Sequence, residues 1–433
     1  MPPTVYVFNP LSEGYIGRSN SFTPTKHQAQ LTEDLTSLPQ FLGGVDDIVL
    51  VTRRPSEAWL DLLGQRGFPL PEFIEFVPDR INAVARLAQR ELARLRPWAW
   101  GPDSLRLFKP LFAGLSTQAR PPGDCFNDRV ARLYSKSWSA AFLSKSFARL
   151  QPWRTSESFE WLCSEQEIGT VAHSLKAAIK AVATIRGRGH HRVVIKAAYG
   201  VAGQNAIRLW EPELLPAQVT WLMRALKAGQ GVVVEPWLER VMDFSVQLEM
   251  LPRGLSLCGY TGLLNDRRGQ FMANWAEPDY ARRVPAEATR LLDLQPGQLE
   301  HFFSQVCSWL EAELRCVDFL GPIGIDAFVY RTAQGNCRLK PVVEINPRYT
   351  MGRLTLELMR HAAPGCCGRF RLISRSQAQK AFIDFASYAA SLVKSCPWRR
   401  ETEGIQRGSI CLNDPAQAQV CLATFEVGHD LAD

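Results

Sequence analysis

No apolar run in this chain of 433 residues approaches the roughly 20 residues that a membrane-spanning helix needs. The Met1-Pro-Pro-Thr start runs straight into a strand-like stretch, without the apolar segment of a secretory signal. These absences argue against a helical membrane protein and make the cytoplasm the expected compartment. A cysteine pattern is missing too. The 11 cysteines are scattered, no C-x-x-C occurs, and only Cys366 and Cys367 are adjacent, so neither a zinc ribbon nor a disulfide framework is encoded. His190 and His191 have no third ligand nearby and make no metal site. The charge excess of +7 is spread along the chain. Nucleic acid would call for a clustered basic stripe with aromatics, so the expected partners are anionic small molecules. Internal repeats and low-complexity segments are absent as well.

What is present is an alternation of strands and helices, and 46% hydrophobic residues are ample for two or three packed domains. TVYVFNP, DDIVLVT and FIEFVP read as buried strands, the first leading into a loop, SEGYIGRSNSFTP. Asp79 to Leu95 has helical apolar spacing, and together these predict a small α/β layer. Residues 97–124, rich in Pro, Trp and Gly, read as a linker. Glu165 to Arg186 and Glu213 to Ala228 read as amphipathic helices. Past Ser374 a helix is expected over Gln377 to Val393, then a strand pair over Gly408 to Asn413 and Gln419 to Glu426.

The chemistry concentrates in the last third of the chain. Ile323 to Tyr330 and Leu339 to Ile345, separated by Ala333-Gln334-Gly335-Asn336, read as a β-hairpin. Such a hairpin sets Asp326 beside Glu344 and Asn346, and the last two, two residues apart, share a face. Three oxygen-bearing side chains then converge, the donor type that magnesium takes alongside water and phosphate. A carboxylate among Val342, Val343 and Ile345 is costly to bury without a cation. Upstream, the apolar strand HRVVIKA ends in Lys196, and the small-residue loop after it holds Gly200 and Gly203. Glycines let backbone N–H groups approach phosphate oxygens, and the lysine adds a point charge. GVVVEPWL carries Glu235 before Pro236, which has no amide donor and so loosens the strand end, freeing backbone to pair with a flat ligand. MDFSVQLEM follows with Asp243 near its start. Arg348 leaves the hairpin through the Pro347 turn, and its planar fork suits an acyl phosphate or a tetrahedral oxyanion.

In this order the pieces resemble the ATP-grasp superfamily over roughly residues 125 to 375. They comprise Asn127-Asp128-Arg129 before a helix with a lysine, the strand-Lys-Gly loop, a Glu-x-x-hydrophobic hinge, an acidic residue in the next strand, and Asp followed by Glu344-Ile-Asn346-Pro-Arg348. The last element is the most specific. The resemblance implies an α/β (α+β) ATP-grasp fold with an amino-terminal α/β domain over 1–115, a nucleotide-binding and catalytic region over 116–375 with a flap at about 153–236, and a carboxy-terminal helix and short strands over 376–433. It implies that Lys196 contacts the α-phosphate and adenine edge, and that Gly200 and Gly203 belong to a mobile lid. It implies too that Glu235 accepts from the adenine amino group, with the backbone of Trp237 and Leu238 completing the hinge. Asp243 binds the ribose, with Glu239 as rival. Lys136 is the first nucleotide lysine, sixteen residues before Pro152, with Lys145 as fallback; here Ser135-Lys136 replaces the family's usual Asp-Lys. By the same resemblance, Asp326, Glu344 and Asn346 are expected to hold magnesium or manganese.

The implied reaction is ATP-dependent, ADP-forming carboxylate–amine ligation through an acyl phosphate, in a biosynthetic setting. Its partners are a small carboxylate and a small amine, with an amino acid or peptide the plainest guess and a homodimer left open. The candidate set of metal ligands, lysines and an arginine suits positioning of two anions and needs no Ser-His or Cys-His nucleophile. A phosphotransferase on the same fold and a non-catalytic nucleotide-binding protein are the rivals.

Overall fold

The three apolar stretches near the amino end form parallel strands, β1 (Thr4–Val7), β2 (Ile48–Val51) and β3 (Glu72–Glu75). A fourth, β4 (Arg94–Pro97), completes a sheet of order β3-β2-β1-β4. Val5, Ile48, Val49, Leu50 and Val51 are almost wholly buried, as parallel strands covered on both faces are. The computed structural model describes every residue except 1, 19–21, 78–81, 116–121, 151–158, 201–204, 228, 266–270, 278–282, 381, 430, 432 and 433; for 82, 83, 122, 283 and 285 it describes backbone alone.

Three expectations for this region are corrected. Of the segment read as one helix over Asp79 to Leu95, residues 79–81 lie outside the described residues, and the described part holds a short helix, Asn82–Ala85, a 3-10 helix, Arg86–Gln89, and the start of β4. Leu95 lies in β4, because the free edge of β1 captures the chain: Ala93 N donates to Pro3 O at 2.9 Å and Trp98 N to Val7 O at 2.8 Å. The supposed loop after β1 starts as a helix, Ser12–Arg18. Asn9 Nδ2 and Ser12 Oγ, tied to Asp103 at 3.0 and 2.8 Å, turn the chain there. The supposed linker holds a helix, Pro102–Phe108, and a 3-10 helix, Lys109–Gly114, and it sends Phe108 and Leu111 into the core beside Val5, Val7 and Leu50.

A second sheet has order β5-β8-β6-β7, from β5 (Thr170–Ala172), β6 (Val193–Ala197), β7 (Ala206–Leu209) and β8 (Val232–Pro236). It packs against helices Leu175–Gly187 and Pro216–Lys227 through Ala178, Val182, Ile185, Leu222, Val232 and Val234. The first of these helices is shorter than expected. Residues 165–174 are a 3-10 turn and β5, and the helix starts where Ser174 caps it by accepting from Ala177 N.

The third sheet has nine strands: β9 (Glu239–Leu251), β10 (Gly254–Asn265), β11 (Phe271–Ala276), β12 (Gly321–Arg331), β13 (Cys337–Asn346), β14 (Cys367–Ser374), β15 (Arg399–Glu401), β16 (Gly404–Cys411) and β17 (Cys421–Gly428). Their order is β13-β12-β9-β10-β11-β14-β17-β16-β15. Helices Lys136–Leu150 and Gln298–Arg315 pack on it through Phe142, Phe147, Phe303 and Leu310, against Val246 and Ile325. A second core joins β1 and β2 to helix Met351–Met359 and to β14 and β17, with Tyr6, Val49, Leu354, Phe370 and Phe425 in one cluster. The amino-terminal sheet is thereby fastened to the β14 and β17 part of the large sheet. The expected helix over Gln377 to Val393 is two helices, Arg375–Ala378 and Phe385–Ser395, because Asp384 starts the second by accepting from Ser387 N at 2.7 Å. The terminal strand pair forms as expected, as β16 and β17.

Candidate active site

The predicted hairpin is present, and its register sets Asp326 directly opposite Glu344 and Gly324 opposite Asn346. A register shift follows: Phe328 pairs with Lys340, so β13 spends four residues where β12 spends two. The difference is even, so Lys340, Glu344 and Asn346 stay on one face with Asp326. On the other flank of β12, Ser245 of β9 pairs with Asp326. Asn346 Nδ2 donates to Asp326 Oδ2 at 3.1 Å, which closes the cluster.

Cations reach this acidic pair from elsewhere in the chain. Lys136, the first residue of its helix, is 8% exposed; its Nζ lies 2.7 Å from Glu344 Oε1 and donates to Gly200 O at 2.7 Å. Arg348 donates from Nη2 to Asn346 Oδ1 at 2.9 Å and from Nε to Glu13 Oε1 at 3.0 Å. Glu13, 2% exposed on the helix after β1, also accepts from Gly200 N at 3.2 Å. One carboxylate of the helix after β1 thus ties Arg348 to the start of the glycine loop. Lys145 lies apart, 60% exposed and 3.4 Å from Glu313, so the geometry brings Lys136 and not Lys145 to the cluster.

The charges sort themselves by environment. Burial, and then the negative charge of Glu344, push Asp326 up to about 6, despite the Ser245 and Asn346 hydrogen bonds. Burial pushes Glu344 upward as well, but the ammonium and hydrogen bond of Lys136 outweigh it and hold Glu344 below the usual carboxylate range. Three carboxylates, Glu13, Asp326 and Glu344, face two cations, Lys136 and Arg348, which leaves an unmatched negative charge when all are ionised. That suits a divalent cation, and the donors are hard oxygens. Among the described residues no group of three or more His, Cys, Asp or Glu gathers for a metal, so a metal here would take two carboxylates plus the Asn346 amide. In the present arrangement Glu344 is spent on Lys136 and Asn346 Oδ1 on Arg348. Half a turn of the amide would bring Oδ1 to the Asp326 side, and the set then fits magnesium or manganese.

A second cluster has the opposite sign. Glu235 of β8, 5% exposed, ion-pairs through one oxygen with Lys196 of β6 and through the other with Lys340 of β13. Two ammonium groups share one carboxylate, so this end of the site calls for an anion. Burial works against the charge of Glu235, yet the two lysines hold it down at about 2. Lys196 is pushed below its usual value by burial and further by Lys340, in spite of Glu235. Lys340 and Glu13 were not among the expected residues. The signal for Lys340 was its even spacing from Glu344 on an apolar strand; nothing local marks Glu13.

The remaining expectations divide. Asp243 is on β9 opposite Phe328 and holds Arg240 at 3.0 Å, while Arg240 stacks 4.6 Å from the Phe328 ring centroid. Its rival Glu239 is exposed at the start of that strand. The loosened strand end at Pro236 is corrected at Trp237, whose N–H is not free: it donates to Arg192 O at 2.9 Å. Leu238 is 7% exposed and packs in the core around Phe244. Gly200 is described, and its φ of 152° lies in the region that favours glycine, where a Cβ would run into the Asn205 side chain. The rest of the lid expected over Gly200 to Gln204, residues 201–204 with Gly203 among them, lies outside the described residues.

The Glu235 cluster generates a stability prediction with a defined sign. The carboxyl is held at about 2 in the folded chain against an ordinary 4.5, so its stabilisation is present above about pH 4.5 and is lost as pH falls toward 2. Glu235→Gln should cost about 3–5 kcal/mol at neutral pH by leaving two buried lysines without a counter-charge. It should also flatten the acid limb of unfolding, measured by circular dichroism between pH 5 and 2. An unchanged melting temperature at pH 7 would show that the cluster is not held as described.

No family model matches the sequence, and no curated protein does. Solved structures do match. The biotin carboxylase domain of Hydrogenobacter thermophilus 2-oxoglutarate carboxylase, solved with MgADP, ADP and bicarbonate, is 11% identical with a TM-score of 0.52, over 99% of this chain and 86% of that one. The biotin carboxylase of Campylobacter jejuni gives 11% identity and a TM-score of 0.51, over 99% and 87%. An N5-carboxyaminoimidazole ribonucleotide synthetase solved with ADP gives 10% and 0.50, over 99% and 94%. At about a tenth identity the likeness is one of backbone architecture, and it covers nearly the whole chain: the chain has the fold of the ATP-grasp superfamily.

Proposed function

We propose that the protein is an ATP-dependent, ADP-forming ligase that joins a small carboxylate to an amine through an acyl phosphate. The observation that carries this reading is the pair of clusters of opposite sign on one strand, β13: a lysine excess at Lys340 and a carboxylate excess at Glu344. Phosphate oxygens suit the first cluster, with Lys196 and Lys340 as donors and Glu235 holding them in place. Glu235, Trp237, Leu238 and Asp243 border the place for adenosine. Asp326, Glu344 and Asn346 would hold magnesium, which when bound offsets the repulsion between a carboxylate and the triphosphate. The likeness to structures solved with ADP and MgADP supports ATP and magnesium as the cofactors.

The chain's own residues do the rest by placement. Lys136 bridges Glu344 and Gly200, so it couples the acidic cluster to the base of the loop expected to cover the nucleotide. Arg348, locked between Glu13 and Asn346, directs a permanent charge to the carboxylate end of the site. There it can stabilise the oxyanion that forms when the amine attacks the acyl carbon. Proton and phosphate transfer need no covalent protein intermediate. An amino acid or peptide is the substrate this reading favours.

Three variants and a trapping reaction test it. Glu344→Gln should abolish ADP release over a panel of amino acids and dipeptides while leaving the circular dichroism spectrum unchanged, and Lys136→Ala should raise the ATP requirement by on the order of tenfold or more, a charged contact of roughly 1.5–3 kcal/mol. Full activity of Glu344→Gln at saturating magnesium would remove the metal assignment. Hydroxylamine offered in place of the amine should yield a hydroxamate from the true carboxylate, and Arg348→Ala should suppress it by roughly a hundredfold, about 3 kcal/mol in the transition state. A stable phosphoester with equimolar ADP would instead mark a phosphotransferase.

A further inference from the structure

Arg240 stands where a regular strand would not put it. Residues three apart on a strand point to opposite faces, yet Arg240 and Asp243 of β9 share one. The cause is a bulge. Met242 pairs with Val329 and Arg240 with Tyr330, so β9 inserts one residue, Val241, that has no counterpart on β12. That extra residue turns Arg240 to the face that carries Asp243 and Phe328, and it leaves Val241 itself 38% exposed.

On this face the guanidinium meets three groups. It donates from Nη1 to Asp243 Oδ1 at 3.0 Å, and its carbon lies 4.6 Å from the centroid of the Phe328 ring and 5.5 Å from the centroid of the Trp237 ring. Phe328 belongs to β12 of the large sheet, whereas Trp237 directly follows β8 of the smaller one. One flat cation thus touches both sides of the cleft. Trp237 is steadied by Trp210, set edge-on at 5.3 Å, and by Arg208, 5.1 Å from its centroid. The side chain of Arg240 is 28% exposed, so it has solvent to move into.

A planar, delocalised group laid on aromatic rings and held by a carboxylate makes the same demands as a nucleoside. A base needs a ring face to stack on, and ribose hydroxyls need an acceptor. Trp237 and Asp243 are residues that border the place for adenosine in the ligase reading, and Phe328 lies opposite Asp243. The guanidinium covers those rings and takes one oxygen of that carboxylate.

We propose that Arg240 is a stand-in for adenosine, occupying the base slot against Phe328 and Trp237 in the nucleotide-free chain and swinging out to solvent when the nucleotide enters. The proposal rests on the ligase reading's placement of adenosine and adds the residue that regulates access to it. A slot that fills itself lowers apparent affinity in proportion to the fraction of molecules in which it is open. Removing the occupant therefore tightens binding. An arginine that contacted the bound nucleotide would do the reverse, since its loss would weaken binding.

The test is isothermal titration of the full chain with ADP and with pyrophosphate, both in magnesium; pyrophosphate carries the phosphates without a base. Arg240→Ala should bind ADP more tightly than the unaltered chain, on the order of tenfold for the loss of two cation–π contacts and a partly exposed ion pair, with no gain for pyrophosphate. Arg240→Lys keeps a charge beside Asp243 and gives up the plane, so it should fall between the two. It gives the same sign of effect if circular dichroism shows that the alanine variant does not fold. An ADP affinity that is unchanged or weaker in the variants, or an equal gain for pyrophosphate, overturns the proposal and leaves the ligase reading standing. Absence of ADP binding by the unaltered chain and by both variants removes the nucleotide reading, and the proposal falls with it.

Discussion

Two carboxylates on facing strands cannot both stay charged in a partly buried place unless cations stand beside them. At contact distance near a protein surface such a repulsion is worth about 4 kcal/mol. The register of β12 and β13 imposes this conflict by setting Asp326 against Glu344. The chain answers it unequally. Lys136 keeps Glu344 ionised, while Asp326, with Ser245 and Asn346 but no lysine, is raised to about 6. An arrangement that costs stability in this way makes sense where a divalent cation and a triphosphate complete the charge balance.

Much of the architecture serves to deliver partners to that pair. Lys136 arrives on a helix that packs beneath β13, with Ser139 of the same helix accepting from Ile345 N at 3.0 Å. Arg348 arrives on the turn that ends the hairpin. Glu13 arrives on the helix after β1, whose sheet is held in place by the shared core of Tyr6, Val49, Leu354 and Phe425. Arg96 adds a second clamp, bonding Glu249 of β9, which also pairs with Arg353 at 2.8 Å. The amino-terminal unit is thereby part of the site's electrostatics as well as a wall of the cleft.

The parts legible in the sequence were those that depend on local pattern. The hairpin, the convergence of Asp326, Glu344 and Asn346, and the parallel strands at the amino end all follow from alternation and composition. Lys340 was within reach of the same alternation, since an even register shift leaves it on the face of Glu344. Glu13 was not: its role depends on a contact across 335 residues with Arg348, and no local pattern encodes it. Tertiary pairing also overrode helical spacing at Leu95, where an open strand edge offered hydrogen bonds that an isolated helix could not match. The loop called a linker was misjudged because Pro, Gly and Trp mark a chain reversal equally well when Phe108 and Leu111 beside them are buried.

Oxygen transfer tests the central claim most directly. With the substrate carboxylate fully labelled with ¹⁸O, an acyl phosphate intermediate requires the oxygen that bridges carbon and phosphorus to leave with the phosphate when the amine attacks. Mass spectrometry of the released phosphate should therefore find one ¹⁸O per molecule, with the other retained in the amide. Unlabelled phosphate released together with product would contradict the account.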